Sequence, residues 1–272
     1  MAKFLPVAPA NYLESIYEKC SMEARHAFLL AHEVVTDELG YGRLKNVYWD
    51  RLNHLLLLDN SAIELGAAVD SKLVKAAQKI TGANVVVLPD VLEKSQETLE
   101  SSWDVYANWI QIFKNRKPQS WDNDYVAELL FIPQGETFQS WVWCFESFLD
   151  RCDERGLPYP SWVGIPRNTT GRIILTRKYL IDVVKARCMS KIHLMGFSDN
   201  MVDDMVSARY DARVQSIDSN VPFRMAEFQM SAKVPSRGNW WVDNKMTPID
   251  DVPKFAVRNW MKVNGMVQQN SK

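Results

Sequence analysis

Six short apolar runs punctuate the chain, and each ends in polar or turn-forming residues. Leu55 to Leu58 runs into Asp59-Asn60-Ser61, Val85 to Leu88 into Pro89-Asp90, and Leu129 to Ile132 into Pro133-Gln134-Gly135. Trp162 to Ile165 runs into Pro166-Arg167-Asn168, Ile192 to Met195 into Gly196-Phe197-Ser198-Asp199, and Val214 to Ile217 into Asp218. The runs are continuously apolar rather than alternating, which suits strands buried on both faces. Between them lie patterns of helical period. Leu92, Leu99, Trp103, Tyr106, Ile110 and Phe113 mark one amphipathic stripe, and Trp141, Phe145, Phe148 and Cys152 a second. Tyr179 to Arg187 and Met201 to Arg213 read as two more helices. The aromatic stripes are expected to be core rather than a cofactor box.

Strand then helix, repeated about every 30 residues, describes parallel βαβ units. A polar residue at the C-terminal end of each strand favours a TIM-type (β/α)8 barrel, in which all those ends converge on one face. A doubly wound sheet is the runner-up, and it is disfavoured as a dinucleotide fold because no G-x-G-x-x-G follows any strand. The barrel is expected to be irregular, since no eighth strand is evident. Residues 1–54 read as an N-terminal lead-in, 55–225 as the core that bears the motifs, and 226–272 as an extension of one domain. Within the lead-in, Ala27 to Val35 suits either a helix or a first strand, and Arg43 to His54 reads as an aromatic, polar approach.

Composition narrows the class. With 32 Lys and Arg against 33 Asp and Glu, no bulk positive field draws the chain to nucleic acid or membrane, although a local basic face is compatible with that balance. The four cysteines, Cys20, Cys144, Cys152 and Cys188, form no C-x-x-C pair, so reduced thiols are expected rather than a zinc ribbon or a disulfide framework. The first residues do not make a signal peptide and the apolar runs are too short to span a bilayer, so a cytoplasmic protein is expected.

In a barrel, Asp59, Asp90, Gln134 and Asp218 share one mouth despite their separation in sequence. An Asp at a strand end also serves simply to cap a turn. Three carboxylates and an amide admit a divalent cation site, but no Asp-x-Asp or helical His pair accompanies them. His193, alone in a strand, reads as a satisfied core residue. The set also suits glycosidic chemistry, where one carboxylate attacks an anomeric carbon and another moves protons. It suits a purine-like base too, because a carboxylate accepts two N–H bonds from a guanidine-type edge while an amide reads the carbonyl side. The last two combine into cleaving and remaking an N-glycosidic bond. Asp90 additionally matches a helix N-cap with Glu93 three residues on.

The order of these motifs resembles the tRNA-guanine transglycosylase family. Leu194-Met195-Gly196, followed by Ile217-Asp218-Ser219-Asn220-Val221-Pro222-Phe223-Arg224, is similar to that family's nucleophile strand, with Asp218, Pro222 and Arg224 in register. Leu58-Asp59-Asn60-Ser61-Ala62, Pro89-Asp90, Ile132-Pro133-Gln134-Gly135 and Trp162-Val163-Gly164 resemble its other motifs in the same order. The resemblance implies Asp218 as nucleophile, Asp59 as the second catalytic carboxylate, and Asp90, Gln134 and Gly164 at the base. The family's zinc-binding subdomain has no counterpart, since no cysteine follows Cys188. The short, zinc-free form resembles the phage-type 7-deazaguanine DNA transglycosylases. The resemblance therefore implies DNA, guanine and a free preQ0-like base as partners, no metal, no other cofactor, and a host cytoplasm. Arg209, Arg213, Arg224, Lys233 and Arg237, with Trp240 and Trp241, form the candidate nucleic-acid face, where cations meet phosphate and indoles stack on bases.

Overall fold

Every apolar run named above is a strand, and two further strands precede them. In the computed structural model the described residues are 2–18, 25–50, 53–115, 127–166, 177–196 and 201–219. Strand β1 (Lys3–Pro6) leads into helix α1 (Ala10–Tyr17), and β2 (Ala27–Leu30) into α2 (Ala31–Thr36) and α3 (Glu38–Val47). Next come β3 (Leu56–Asp59), the short α4 (Ala62–Leu65), α5 (Ser71–Thr81), β4 (Val85–Val87) and α6 (Ser95–Asn115). The remainder is β5 (Glu128–Phe131), α7 (Phe138–Arg155), β6 (Trp162–Ile165), α8 (Arg177–Arg187), β7 (Lys191–Leu194), α9 (Met201–Tyr210) and β8 (Val214–Ser219). All strand pairings are parallel, in the order β1-β8-β7-β6-β5-β4-β3-β2. A parallel bridge from Val7 to Phe28 brings the two edges together. The fold is a nearly closed, irregular (β/α)8 barrel.

The double burial expected from the continuous apolar runs has a simple origin. One cluster fills the barrel interior with Leu5, Phe28, Leu30, Leu57, Val85, Val87, Leu130, Ile132, Trp162 and Met195. The alternate residues of the same strands, such as Leu56, Leu58, Val86, Phe131, Val163 and Leu194, pack outward with helical residues including Trp141, Phe145 and Phe148. Successive side chains point to opposite sides of a strand, so both parities must be apolar when both sides are covered. The aromatic stripe of α7 is core, as expected. Phe131 stacks on Phe148 with ring centroids 4.0 Å apart.

The aromatic, polar approach over Arg43 to His54 begins as helix: α3 runs through Val47, and its first turn is held by the Asp37 side chain, which accepts from the Gly40 N–H. One local expectation is corrected. Asp90 does not cap the following helix, which starts only at Ser95. Thr98 instead ties the preceding turn, its hydroxyl both accepting from Val91 N–H and donating to Val91 O.

The alternation of sides breaks once where it matters for the site. Ile192 pairs with Val214, but His193 pairs with Ser216, so β8 carries one residue more than β7 at this point. This bulge at Gln215 reverses the parity of the later residues of β8. Val214 and Ile217 both face the helical layer. Ser216 and Asp218 therefore share the inner side with His193.

The opposite, N-terminal end of the barrel is closed by polar groups. Trp162 Nε1 donates to Glu128, and Lys191 Nζ lies 2.9 Å from both Glu128 carboxylate oxygens and 5.1 Å from the Trp162 ring centroid. His26 accepts from Leu55 N–H through Nδ1 at 3.0 Å. No helix among the described residues is long and apolar enough to cross a membrane.

Candidate active site

Parallel strands carry their C-terminal ends to one mouth, and three carboxylates meet there. Asp59 is the last residue of β3 and keeps the inward parity of Leu57. Asp90 follows β4 by way of Leu88-Pro89, and Asp218 is the penultimate residue of β8. Their exposures are 6%, 4% and 7%, so each acid is largely withdrawn from water.

The β3 and β4 loops hold two of the acids by short, local bonds. Among the described residues only Ser61 and Glu93 combine a side chain with a left-handed backbone, each with φ of 62°, and they sit in these two loops. The turn at Ser61 aims its N–H at Asp59 Oδ2, 2.7 Å away, and leaves Ala62 N–H on Asn60 Oδ1 at 2.9 Å. Asn60 then spends its amide donors on Leu88 O at 2.8 Å and on Asp90 Oδ1 at 2.7 Å. Gln134 Nε2 reaches the other oxygen, Asp90 Oδ2, at 2.6 Å, and its own carbonyl accepts from Glu93 N–H at 3.4 Å. Asp90 is thus clamped between two amides, while each carboxylate oxygen retains a second acceptor position.

Asp218 is held differently. Its Oδ1 accepts from His193 Nε2 at 2.9 Å and from Gly196 N–H at 2.8 Å. His193 is fully buried, its ring stacked on Phe28 at a centroid distance of 5.7 Å, and Nδ1 meets Ser216 Oγ at 2.8 Å. A carboxylate only accepts, so this contact suits the tautomer with the proton on Nε2. Among the described residues nothing donates to Asp218 Oδ2. Ser216, His193 and Asp218 have the composition of a hydrolase triad, but the Ser216 hydroxyl is fully buried beneath the imidazole and cannot meet a substrate.

The carboxylates feel one another. Burial, with Asp90, Glu64 and Asp218 as like-charged neighbours, holds the Asp59 carboxyl well above the usual carboxylate range, against the opposing pull of the Ser61 N–H. Burial also raises Asp90, although its bonds from Asn60 and Gln134 oppose the shift. Glu64, on the exposed side of α4, is raised by partial burial, and both His32 and Asp218 lie within its electrostatic reach. A mouth that pushes the Asp59 carboxyl up beside a hydrogen-bonded Asp218 holds two carboxyl groups in contrasting surroundings, an arrangement compatible with glycosidic chemistry. Among the described residues no group of three His, Cys, Asp or Glu is disposed to hold a metal ion.

Two other expected site residues have different surroundings. Gly164 lies inside the barrel wall, in register with His193. A Cβ there would stand 2.8 Å from Ile132 Cγ1 and 2.9 Å from Leu130 Cδ2, so close packing alone demands glycine. Arg213 lies away from the mouth: it precedes β8 at the N-terminal end of the barrel, where its guanidinium donates to Cys188 O at 2.8 Å and Ser190 O at 2.5 Å. Arg224, Lys233, Arg237, Trp240 and Trp241 lie outside the described residues, as does the Arg209 side chain. His193 is the satisfied core residue that the sequence suggested, but the sequence did not show that one of its partners is Asp218. The only signal for that pairing is positional, one residue before the run Leu194-Met195-Gly196.

Fold and site together define an α/β barrel with a buried cluster of acids at its C-terminal mouth. Neither a protein-family model nor a curated protein matches the chain.

Proposed function

We propose that the protein is a base-exchanging pentosyltransferase that replaces guanine in DNA by a 7-deazaguanine base of the preQ0 type. The observation that carries this reading is the convergence of a buried Asp59, whose carboxyl is pushed up, with an Asp218 held through Oδ1 by His193 and Gly196. Asp218 Oδ2 attacks C1′ of an extruded guanosine nucleotide, and the C1′–N9 bond breaks with its electron pair passing to the base. Asp59 gives that base its proton, and guanine leaves. The 7-deazaguanine then enters, and Asp59, now a carboxylate, takes its ring N–H proton. The freed nitrogen attacks C1′, the bond from C1′ to Oδ2 breaks, and Asp218 is restored. One N-glycosidic bond replaces another, so the exchange balances without a redox partner. Asp90 and Gln134, already joined by a hydrogen bond, read the edge of the base. The resemblance of the motif order to the transglycosylase family supports the same roles.

The test is mass spectrometry of nucleosides released from DNA after incubation with the protein and preQ0, with a parallel tRNA arm. A deazaguanine nucleoside from DNA, absent with Asp218→Asn, supports the reading. Product from tRNA alone replaces the DNA assignment with a zinc-free tRNA enzyme. No product from either nucleic acid overturns the enzymatic reading and favours a binding subunit.

A further inference from the structure

Arg177, at the start of α8, and Asp204, in α9, form a buried ion pair with Nη1 to Oδ2 at 3.3 Å and side-chain exposures of 3% and 2%. Burying two charges costs desolvation that their attraction only offsets in good geometry, so such a pair is weak evidence for a purely stabilising role. The guanidinium has further work: Nη1 donates to Gly196 O at 2.7 Å and Nη2 to Met195 O at 2.5 Å. The carbonyl of Met195 and the N–H of Gly196 belong to one planar peptide unit. That N–H is the 2.8 Å donor to Asp218 Oδ1. Gly196 has φ of 63°, a turn open to glycine, which directs its N–H to the barrel mouth while its carbonyl returns to Arg177.

We propose that Arg177 is a positioning residue for Asp218, acting through the Met195–Gly196 peptide. Asp204 carboxylate, Arg177 guanidinium, peptide and Asp218 carboxylate form a chain of alternating charge and dipole. A cation on the carbonyl polarises the peptide and makes its N–H a stronger donor, and in a low-dielectric setting such links reinforce one another. Asp218 shares its mouth with Asp59, Asp90 and Glu64, so a carboxylate there needs a compensating positive end. The peptide supplies it without placing a cation where the base must enter. This inference rests on the reading of Asp218 as the nucleophile, but its central measurement does not depend on base exchange.

Met195–Gly196 is the one Met-Gly step in the sequence. Protein carrying 13C-carbonyl methionine and 15N-glycine therefore gives a single carbonyl-coupled amide signal, that of Gly196. Its proton resonance is expected to move upfield in Asp218→Asn, to move upfield in Arg177→Met, and to return partway in Arg177→Lys. The rate of covalent trapping on nucleic acid is expected to fall about 100-fold in Arg177→Met, the loss typical of one preorganised donor, with the acidic limb of its pH profile displaced upward. A Gly196 amide that stays in place in folded Arg177→Met overturns the proposal. Should Arg177→Met not fold, Arg177→Lys decides, since it keeps the charge but not the two-carbonyl grip: an unmoved resonance there overturns it equally. Wild-type protein inactive in exchange, yet with the Gly196 signal responding to Arg177, would sink the transglycosylase reading and leave the relay standing.

Discussion

His193 Nε2 lies 2.9 Å from Asp218 Oδ1, and the same oxygen takes the Gly196 N–H. Both contacts fall on one oxygen, so the carboxylate is held through Oδ1. Preorganisation of this kind is worth more in a water-poor site than the same bonds in solution. His193→Phe, which keeps the stacking on Phe28 but not the donor, is expected to slow covalent adduct formation about 100-fold. His193→Gln, which retains an N–H donor, is expected to lose about tenfold or less. Intact-protein mass spectrometry of the trapped adduct distinguishes the two.

Asp59 should show opposite signs in activity and stability. Its carboxyl is raised by burial and by neighbouring acids, so the folded protein keeps a proton that the unfolded chain gives up above the ordinary carboxylate range. The resulting stability is fully present at low pH and is lost as pH rises towards the folded value. Asp59→Asn removes this titration, so it is expected to raise Tm, with a larger gain at pH 8 than at pH 4. The same change is expected to cut base exchange by about 100- to 10,000-fold, as for loss of a general acid–base group. Thermal melts at the two pH values, alongside the exchange assay, check both.

His26 predicts an acid limit to the fold. Burial is the largest cause that lowers its pKa to about 3, with Lys3 and His54 adding to it. Nδ1 must also remain an acceptor for Leu55 N–H. Below the ordinary histidine value of about 6.5 the unfolded chain takes up a proton that the folded protein refuses, so stability falls as pH drops. The loss is expected to approach about 1.4 kcal/mol per pH unit between pH 6 and about 3. Urea unfolding at pH 7, 5 and 4 measures it, and His26→Asn, with an acceptor that does not titrate, should flatten the slope.

Gly164→Ala tests packing against recognition. The added Cβ meets Ile132 Cγ1 and Leu130 Cδ2 at under 3 Å, and overpacking of this order costs about 1–3 kcal/mol. The expected outcome is a lower urea midpoint. Unchanged stability with weakened binding of the base would return Gly164 to the recognition role that the family resemblance implies.

Strands were legible where both sides of the sheet are covered, because Leu55 to Leu58 or Leu129 to Ile132 have no other comfortable place. β1 was not legible, since Lys3–Pro6 is four residues ending in proline, and its strand character comes from pairing with β8 rather than from its own pattern. Ala27 to Val35 stayed ambiguous for a physical reason: it is a strand and a helix joined without a break, β2 passing into α2 at Ala31. The acids at the mouth were visible as strand-end residues. Their supports were not: Asn60 on Asp90 and His193 on Asp218 depend on which strands become neighbours. Arg177 carries no sequence cue, because its partners are backbone carbonyls 18 and 19 residues away and the Asp204 carboxylate on another helix.

A strand has two sides, so one inserted residue acts as a toggle for everything downstream of it. Were Gln215 drawn into the ladder opposite His193, every acid, histidine and glycine of the mouth would remain in the polypeptide, yet Asp218 would turn towards the helices and Ile217 into its place. Activity in such a barrel can therefore be gained or lost through the pairing register alone, with no change in the residues themselves.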